Sequence, residues 1–274
     1  MHTSLKDKVT LVTGVSSGIG REIVQLLAER GARVFGTVRN PQSAKLIHGV
    51  EVVRMDVTDD ASVSEAVQSI VQKAGPVQIL VNNAGYALAG ALEETSIEEA
   101  RQQFETNFFG VLRVVNAVLP GMREGGSGRI VNISSAFGLL PAPHWGIYAA
   151  SKHAVEGYTE TLDHEVRGFG VRAVLVEPAF TKTKLTKNEK TAQTALEVYA
   201  VLRKRMSEAV RQGAEQGDNP HVVAEAVWRA LTEKSPRLRY PVGKSVLLSR
   251  LRRFVPAGMF DKSFRKQFHL DTII

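Results

Sequence analysis

Short apolar runs rich in Val and Ile alternate along this chain with longer segments in which apolar residues recur every three or four positions. The runs are "KVTLVTG" from Lys8, "ARVFGTV" from Ala32, "VEVVRMD" from Val50, "VQILVNNAG" from Val77, "GRIVNISS" from Gly128 and "VRAVLVEP" from Val171. They are continuous rather than alternating, which predicts strands buried on both faces of a parallel sheet. Between them, "IGREIVQLLAERG", "DDASVSEAVQSIVQKAG", the segment from Ile97 to Met122 and "YAASKHAVEGYTETLDHEVRGFG" have helical period. Gly31 and Gly75 stand where helix-ending glycines belong. Strands spaced by helices make right-handed βαβ units. The predicted class is therefore α/β, a doubly wound parallel sheet in a three-layer α/β/α arrangement.

Beyond about residue 185 the pattern changes to a polar, Lys-rich stretch, a helix near Thr194 to Gln212, another near His221 to Thr232, and a last short strand in "LRYPVG". We expect one domain over residues 1–243, with the helices of about 185–232 as a substrate loop, and a C-terminal helical extension over 244–274. In that extension "KSVLLSRLRRFV" places Leu247, Leu248, Leu251, Phe254 and Val255 at helical spacing beside Arg250, Arg252 and Arg253. This reads as a basic amphipathic helix. Its apolar stripe is expected over the substrate cleft or on a partner subunit, with a weak membrane-surface contact as the alternative.

Composition narrows the classes. The 274 residues contain no cysteine, which excludes disulfides, thiolate nucleophiles and Cys-ligated zinc. No apolar run reaches the roughly 18 residues a bilayer span needs. The N-terminus leads into a strand without a signal-peptide core, so a cytoplasmic location is expected. The net charge of +7 is uneven. Residues 234–274 hold ten Lys/Arg against two Asp, a net of +8, and the rest is close to neutral at −1. The tail lacks any nucleic-acid-binding motif, and no metal site is expected.

Two motifs bring chemistry. "TGVSSGIG", Thr13 to Gly20, lies between the first strand and first helix. Its Gly14, Gly18 and Gly20 permit a tight turn, close approach of backbone to a pyrophosphate, and close packing of helix on strand, while the helix N-terminus offers N–H groups and positive charge to the phosphates. "YAASK", Tyr148 to Lys152, sets a phenol and an ammonium one helical turn apart on one face. A nearby ammonium would stabilise a phenolate and lower the phenol's pKa, making Tyr148 a proton donor and acceptor.

With "NNAG" at Asn82 to Gly85, these motifs resemble the short-chain dehydrogenase/reductase family, over roughly residues 5–185. The resemblance implies a Rossmann-like fold and an oxidoreductase that interconverts a ketone or aldehyde and its alcohol. It implies four catalytic residues: Tyr148 as acid/base, Lys152 as its activator and a ribose ligand, Ser135 positioning the substrate oxygen, and Asn107 holding a water of a proton relay. Singly, each has a bland reading as packing residue, solvated lysine, turn former or helix cap. Their joint spacing favours the catalytic one.

The cofactor site implied comprises Gly14, Ser16, Ser17, Gly18, Ile19 and Gly20 in the loop, Asp56 and Val57 at the adenine, and Asn83, Ala84 and Gly85 at the adenosine ribose. Tyr148 and Lys152 join it, as do Pro178 and Thr181 at the nicotinamide amide and Thr183 at the phosphates. Ala179 occupies a position where the family usually has Gly. At the end of the second strand, Val38 replaces the acid that would grip an NAD ribose, and Arg39 can bind a 2′-phosphate. This favours NADP(H), with a solvated Arg39 as the bland alternative. The apolar "AFGLLPAPHWGI" should wall a pocket for a lipophilic small-molecule substrate, with His144 making an ordinary surface hydrogen bond. A homo-oligomer, dimer or tetramer, is expected through the helices that hold Asn107 and Tyr148. The competing readings are a dinucleotide-sensing binding protein without turnover and an epimerase on the same fold.

Overall fold

The computed structural model describes residues 3–43, 47–182, 189–247, 254–267 and 270. All six predicted strands form: β1 (Val9–Thr13), β2 (Arg33–Val38), β3 (Val50–Arg54), β4 (Ile79–Asn82), β6 (Gly128–Ile133) and β7 (Val171–Pro178). The predicted last strand is β9 (Arg239–Val242). These seven make one parallel sheet in the order β3-β2-β1-β4-β6-β7-β9. The short strands β5 (Leu88–Ala89) and β8 (Lys190–Thr191) pair separately and tie the segment after β7 to the one after β4.

Alternate residues of each strand serve opposite layers, which is why the runs had to be apolar throughout. Val12, Val34, Val81, Val131 and Val174 pack under α1 (Gly18–Glu29) and α7 (Pro220–Thr232). Their neighbours Leu11, Phe35, Leu80, Ile130 and Leu175 pack under α2 (Asp60–Ala74), α4 (Gly110–Glu124) and α5 (Gly146–Val166). Gly31 and Gly75 both have positive φ, as predicted for helix ends. A further helix, α6 (Ala200–Glu215), precedes α7.

The segment predicted as one helix from Ile97 to Met122 is in fact interrupted. α3 (Ile97–Phe104), opened by a Ser96–Glu99 capping box, passes into a π-helical turn over Glu105–Phe109 before α4 begins. A π-turn inserts one extra residue and rotates the face behind it, a feature frequent at functional sites. Asn107 lies in that turn. The C-terminal extension contributes α8 (Ala257–Gln267). Leu248, Arg250, Leu251, Arg252 and Arg253 of the predicted amphipathic helix lie outside the described residues. No helix among the described residues is long and apolar enough to cross a membrane.

Candidate active site

Strand order reverses between β1 and β4, and ligands of doubly wound sheets bind at the carboxyl ends of strands beside such a reversal. There the chain forms a cavity of about 1600 Å³. Its walls include Gly14, Ser16, Ser17, Gly18, Ile19, Gly20, Arg39, Asp56, Val57, Asn83, Ala84, Gly85, Ser135, Tyr148, Lys152, Pro178 and Thr181. Of the predicted site residues, Asn107 lies behind this surface and Thr183 lies outside the described residues.

The glycine loop is held by close backbone contact. A Cβ on Gly14, at φ +72, would stand 2.8 Å from Ala84 Cα, and one on Gly20 would stand 2.4 Å from the Gly14 carbonyl oxygen. Asn83 Nδ2 donates to the Thr13 and Gly14 carbonyls, both at 3.0 Å. Thr13 Oγ1 accepts the N–H groups of Asn83 and Ala84, again at 3.0 Å. Thr13 was not singled out from the sequence, although its hydroxyl joins the glycine loop to "NNAG". Asn83 lines the cavity as predicted, but its amide is spent on bracing the loop.

The start of α1 is suited to a dinucleotide's phosphates. Its N-cap Ser17 makes no side-chain cap and no acid lies in the first turn. By contrast, Asp59 caps α2, with Asp60 behind it, and Ser96 caps α3. The α1 N–H groups and positive dipole end therefore keep an anion's place open on the cavity wall. Arg39 is exposed at the end of β2 with Val38 buried before it. Burial acts to raise the Asp56 carboxyl. Hydrogen bonds from the Thr58 N–H at 3.0 Å and hydroxyl at 2.8 Å, with the Arg39 and Arg54 charges, outweigh it and hold the group below the usual carboxylate range.

Tyr148 and Lys152 share a buried face of α5, 5% and 7% exposed. The Ser135 hydroxyl, which accepts the Phe137 N–H at 3.2 Å, is close enough to the Tyr148 phenol to favour its ionised form. The ammonium lies 5.9 Å from the Tyr148 ring centroid and donates to the Ile133 carbonyl at 2.8 Å. The expected lowering of the phenol's pKa is not what this geometry produces. Burial pushes Tyr148 up, and the nearby Ser135 hydroxyl offsets only part of that. Burial pulls Lys152 down to about 8 against the opposing charge of Glu156. The arrangement is a protonated phenol ready to donate, beside an ammonium that titrates just above neutrality.

Asn107 is 1% exposed. Its Nδ2 donates to the Tyr86 carbonyl at 3.0 Å and to Ser151 Oγ at 3.2 Å, and its Oδ1 accepts the Tyr86 N–H at 3.1 Å. A Cβ on Gly85 would lie 3.0 Å from Asn107 Oδ1 and 3.9 Å from Lys152 Nζ, so Gly85 separates the two groups by little more than its own width.

Beside Tyr148 the cavity is aromatic. Phe137 lies 5.6 Å from Trp145 and 5.9 Å from Phe180, and Trp145 lies 5.9 Å from Tyr148, all edge-to-face. Leu247, Val255, Met259, Phe260 and Phe264 of the C-terminal extension line the same cavity. Leu247 and Val255 belong to the apolar stripe expected over the cleft, whereas Met259, Phe260 and Phe264 were not assigned to it from the sequence. His144 is not a surface residue: it is 6% exposed, at φ +67, with its pKa lowered by burial. Ala179, in the position expected for Gly, needs no left-handed backbone, since Asp7 and His144 are the positive-φ non-glycines among the described residues.

Comparison with known proteins agrees with this geometry. The profile of the short chain dehydrogenases matches residues 8–194. The 3-ketodihydrosphingosine reductase of Bacteroides thetaiotaomicron is 38% identical over 267 residues, which cover 95% of this chain and 98% of that protein. The NADPH-dependent 3-dehydrocapnine reductase of Ornithobacterium rhinotracheale is 33% identical over 277 residues, covering 94% and 96%. Among solved structures, a short-chain dehydrogenase from Streptomyces avermitilis superposes with a TM-score of 0.82 at 34% identity, covering 97% of this chain and 96% of that one.

Proposed function

The chain belongs to the short-chain dehydrogenase family, and from that premise we propose that it is an NADP(H)-dependent reductase of a long-chain, lipophilic 3-ketone. The observation that carries this reading is the continuity of one cavity from the open N-terminus of α1, past Ser135 and Tyr148, to an apolar wall of aromatic and aliphatic side chains. Its volume exceeds the roughly 300–1,000 Å³ usual for a single small ligand. That is room for a dinucleotide and a chain-bearing substrate together. The relatives named 3-ketodihydrosphingosine reductase and NADPH-dependent 3-dehydrocapnine reductase support this reading.

The α1 N-terminus and glycine loop would hold the cofactor's phosphates, Arg39 its 2′-phosphate, and Asp56, Val57 and Asn83 to Gly85 its adenosine half. Lys152, Pro178 and Thr181 would hold the nicotinamide half. When bound, the nicotinamide supplies the hydride. Ser135 hydrogen-bonds the substrate oxygen and aligns it, Tyr148 gives that oxygen its proton, and the Lys152 ammonium stabilises the phenolate that remains. Asn107, fixed in the π-turn, would hold the relay through which the proton is replaced. Burial strengthens each of these interactions by excluding water.

The catalytic domain ends near residue 243 and the extension walls the substrate pocket. Phe109, 43% exposed in the π-turn before α4, supports pairing of α4 and α5 between copies. Exposed Phe254 and Met259 near Lys262 and Lys266 support a weak membrane-surface contact of a cytoplasmic enzyme collecting a lipid substrate. The test has two parts. NADPH and NADH are titrated separately, by nicotinamide fluorescence, into wild type and Arg39→Ala; tighter NADPH binding that the variant loses supports the phosphate site. Oxidation of NADPH is then followed with a long-chain 2-amino-3-ketone and with a short ketone. Turnover of neither, in a protein that binds NADPH, would favour a dinucleotide sensor or an epimerase.

A further inference from the structure

One face of α5 continues past the site described above. Lys152, Glu156 and Glu160 follow at four-residue intervals, so their side chains stack along the helix. Glu156 is 4% exposed, and opposite it Glu177, the last acid of β7, is wholly buried. Arg239, the first residue of β9, reaches both: its guanidinium pairs with Glu156 and Glu177, and with Glu160 at 2.7 Å. The Ser134 hydroxyl faces the same carboxyl from the end of β6, since a Cβ on Gly138 would lie 2.5 Å from Ser134 Oγ and 2.8 Å from Glu156 Oε1. Ser134 is itself on the cavity wall.

The charges within this cluster do not balance if every group is ionised. One guanidinium cannot neutralise two buried carboxylates and a third at the surface. Two buried carboxylates that share a partner keep a proton between them. In agreement, burial and the charge of Glu177 push Glu156 well above the usual carboxylate range, and burial also raises Glu177. The group next along the helix is Lys152, whose ammonium is buried and resisted in its loss of charge by Glu156.

We propose that Glu156 is a positioning residue for the Tyr148–Lys152 pair, acting as a counter-charge to the Lys152 ammonium whose strength is set by a proton shared with Glu177. This rests on the reading of Tyr148 and Lys152 as acid/base and activator. With the proton on Glu156, Lys152 has no anionic neighbour along its helix and gives up its charge readily. With the proton on Glu177 or gone, Glu156 is a carboxylate and holds the ammonium charged. The groups facing Glu156 are Lys152 and Glu160 from α5, Glu177 from β7, Arg239 from β9 and the Ser134 hydroxyl from the end of β6. The cluster therefore adjusts the pH range in which Tyr148 has its activator.

Two nearly isosteric substitutions should move the activity in opposite directions. Glu156→Gln removes the counter-charge, so the alkaline limb of ketone reduction should move down by about one pH unit. Glu177→Gln removes the competing carboxyl, leaves Glu156 ionised against Arg239, and should move the limb up by about as much. NADPH affinity at pH 6.5, where Lys152 is charged in every variant, should stay within about twofold of wild type. A purely structural role would lower Tm in both variants and move neither limb. Unmoved limbs, or limbs moving the same way, would overturn the proposal. If one variant fails to fold by circular dichroism, the sign of the other's shift decides. Tyr148→Phe is run alongside: wild-type turnover there would defeat the catalytic reading itself, separately from the counter-charge.

Discussion

Around the glycine loop the cleft is walled largely by backbone, whereas around Tyr148 it is walled by side chains. In the first region Gly14 approaches Ala84, the Asn83 amide binds two carbonyls, and the uncapped start of α1 presents N–H groups. In the second, the rings of Phe137, Trp145 and Phe180 pack edge-to-face beside Tyr148, and α8 adds Met259, Phe260 and Phe264. A ligand part that never varies can be held by backbone, which tolerates few residues at each position. A substrate that differs from one enzyme to the next is held by side chains, which can be exchanged one at a time.

Single substitutions in the two regions should have separable effects, Tyr148→Phe the greatest. Tyr148→Phe removes the proposed proton donor and should lower kcat by about 10²–10⁴-fold with NADPH binding intact, read by steady-state kinetics and fluorescence titration. In the backbone-walled region, Gly20→Ala sets a Cβ 2.4 Å from the Gly14 carbonyl, which cannot move without moving the loop. It should cost roughly 1–3 kcal/mol, seen as a Tm lower by several degrees and NADPH binding weakened about 10–100-fold. Arg39→Ala should weaken NADPH about tenfold and leave NADH nearly unchanged if, as proposed, the guanidinium engages the 2′-phosphate. In the side-chain-walled region, Phe180→Ala should raise KM for a long-chain ketone a few-fold, with short ketones and NADPH little affected. That selectivity would separate the two regions; a loss of NADPH binding on Phe180→Ala would merge them.

The pH dependence sharpens the same contrast. Burial holds Lys152 at about 8, so its charge is present below that value and lost above it. Burial also raises the Tyr148 phenol, which stays protonated throughout that range. Ketone reduction by the proposed mechanism, with a protonated Tyr148 beside a charged Lys152, should be sustained below pH 8 and fall off above it. NADPH bound through α1 and Arg39 should show a shallower change over the same interval. A pH–rate profile and a parallel Kd series check both.

The chain's own pattern determined the doubly wound sheet, because a strand buried on both faces has to be apolar along its whole length, as in "VTLVT" and "VRAVLVEP". It also determined the spacing of Tyr148 and Lys152, because a helix turns every 3.6 residues whatever surrounds it. Local rules of this kind made the glycine loop legible at Gly14, Gly18 and Gly20. They did not reveal Thr13, whose hydroxyl matters only because β4 is its neighbour in the sheet. Tertiary structure alone decided three further things. It brought Glu156, Glu177 and Arg239 from three elements into one buried cluster. It turned the single predicted helix of 97–122 at Asn107, and it carried α8 of the tail to the cavity that holds Tyr148. Periodicity reports which face of an element is buried. What it is buried against, and hence the pKa of a phenol or an ammonium, depends on contacts between residues far apart in the chain.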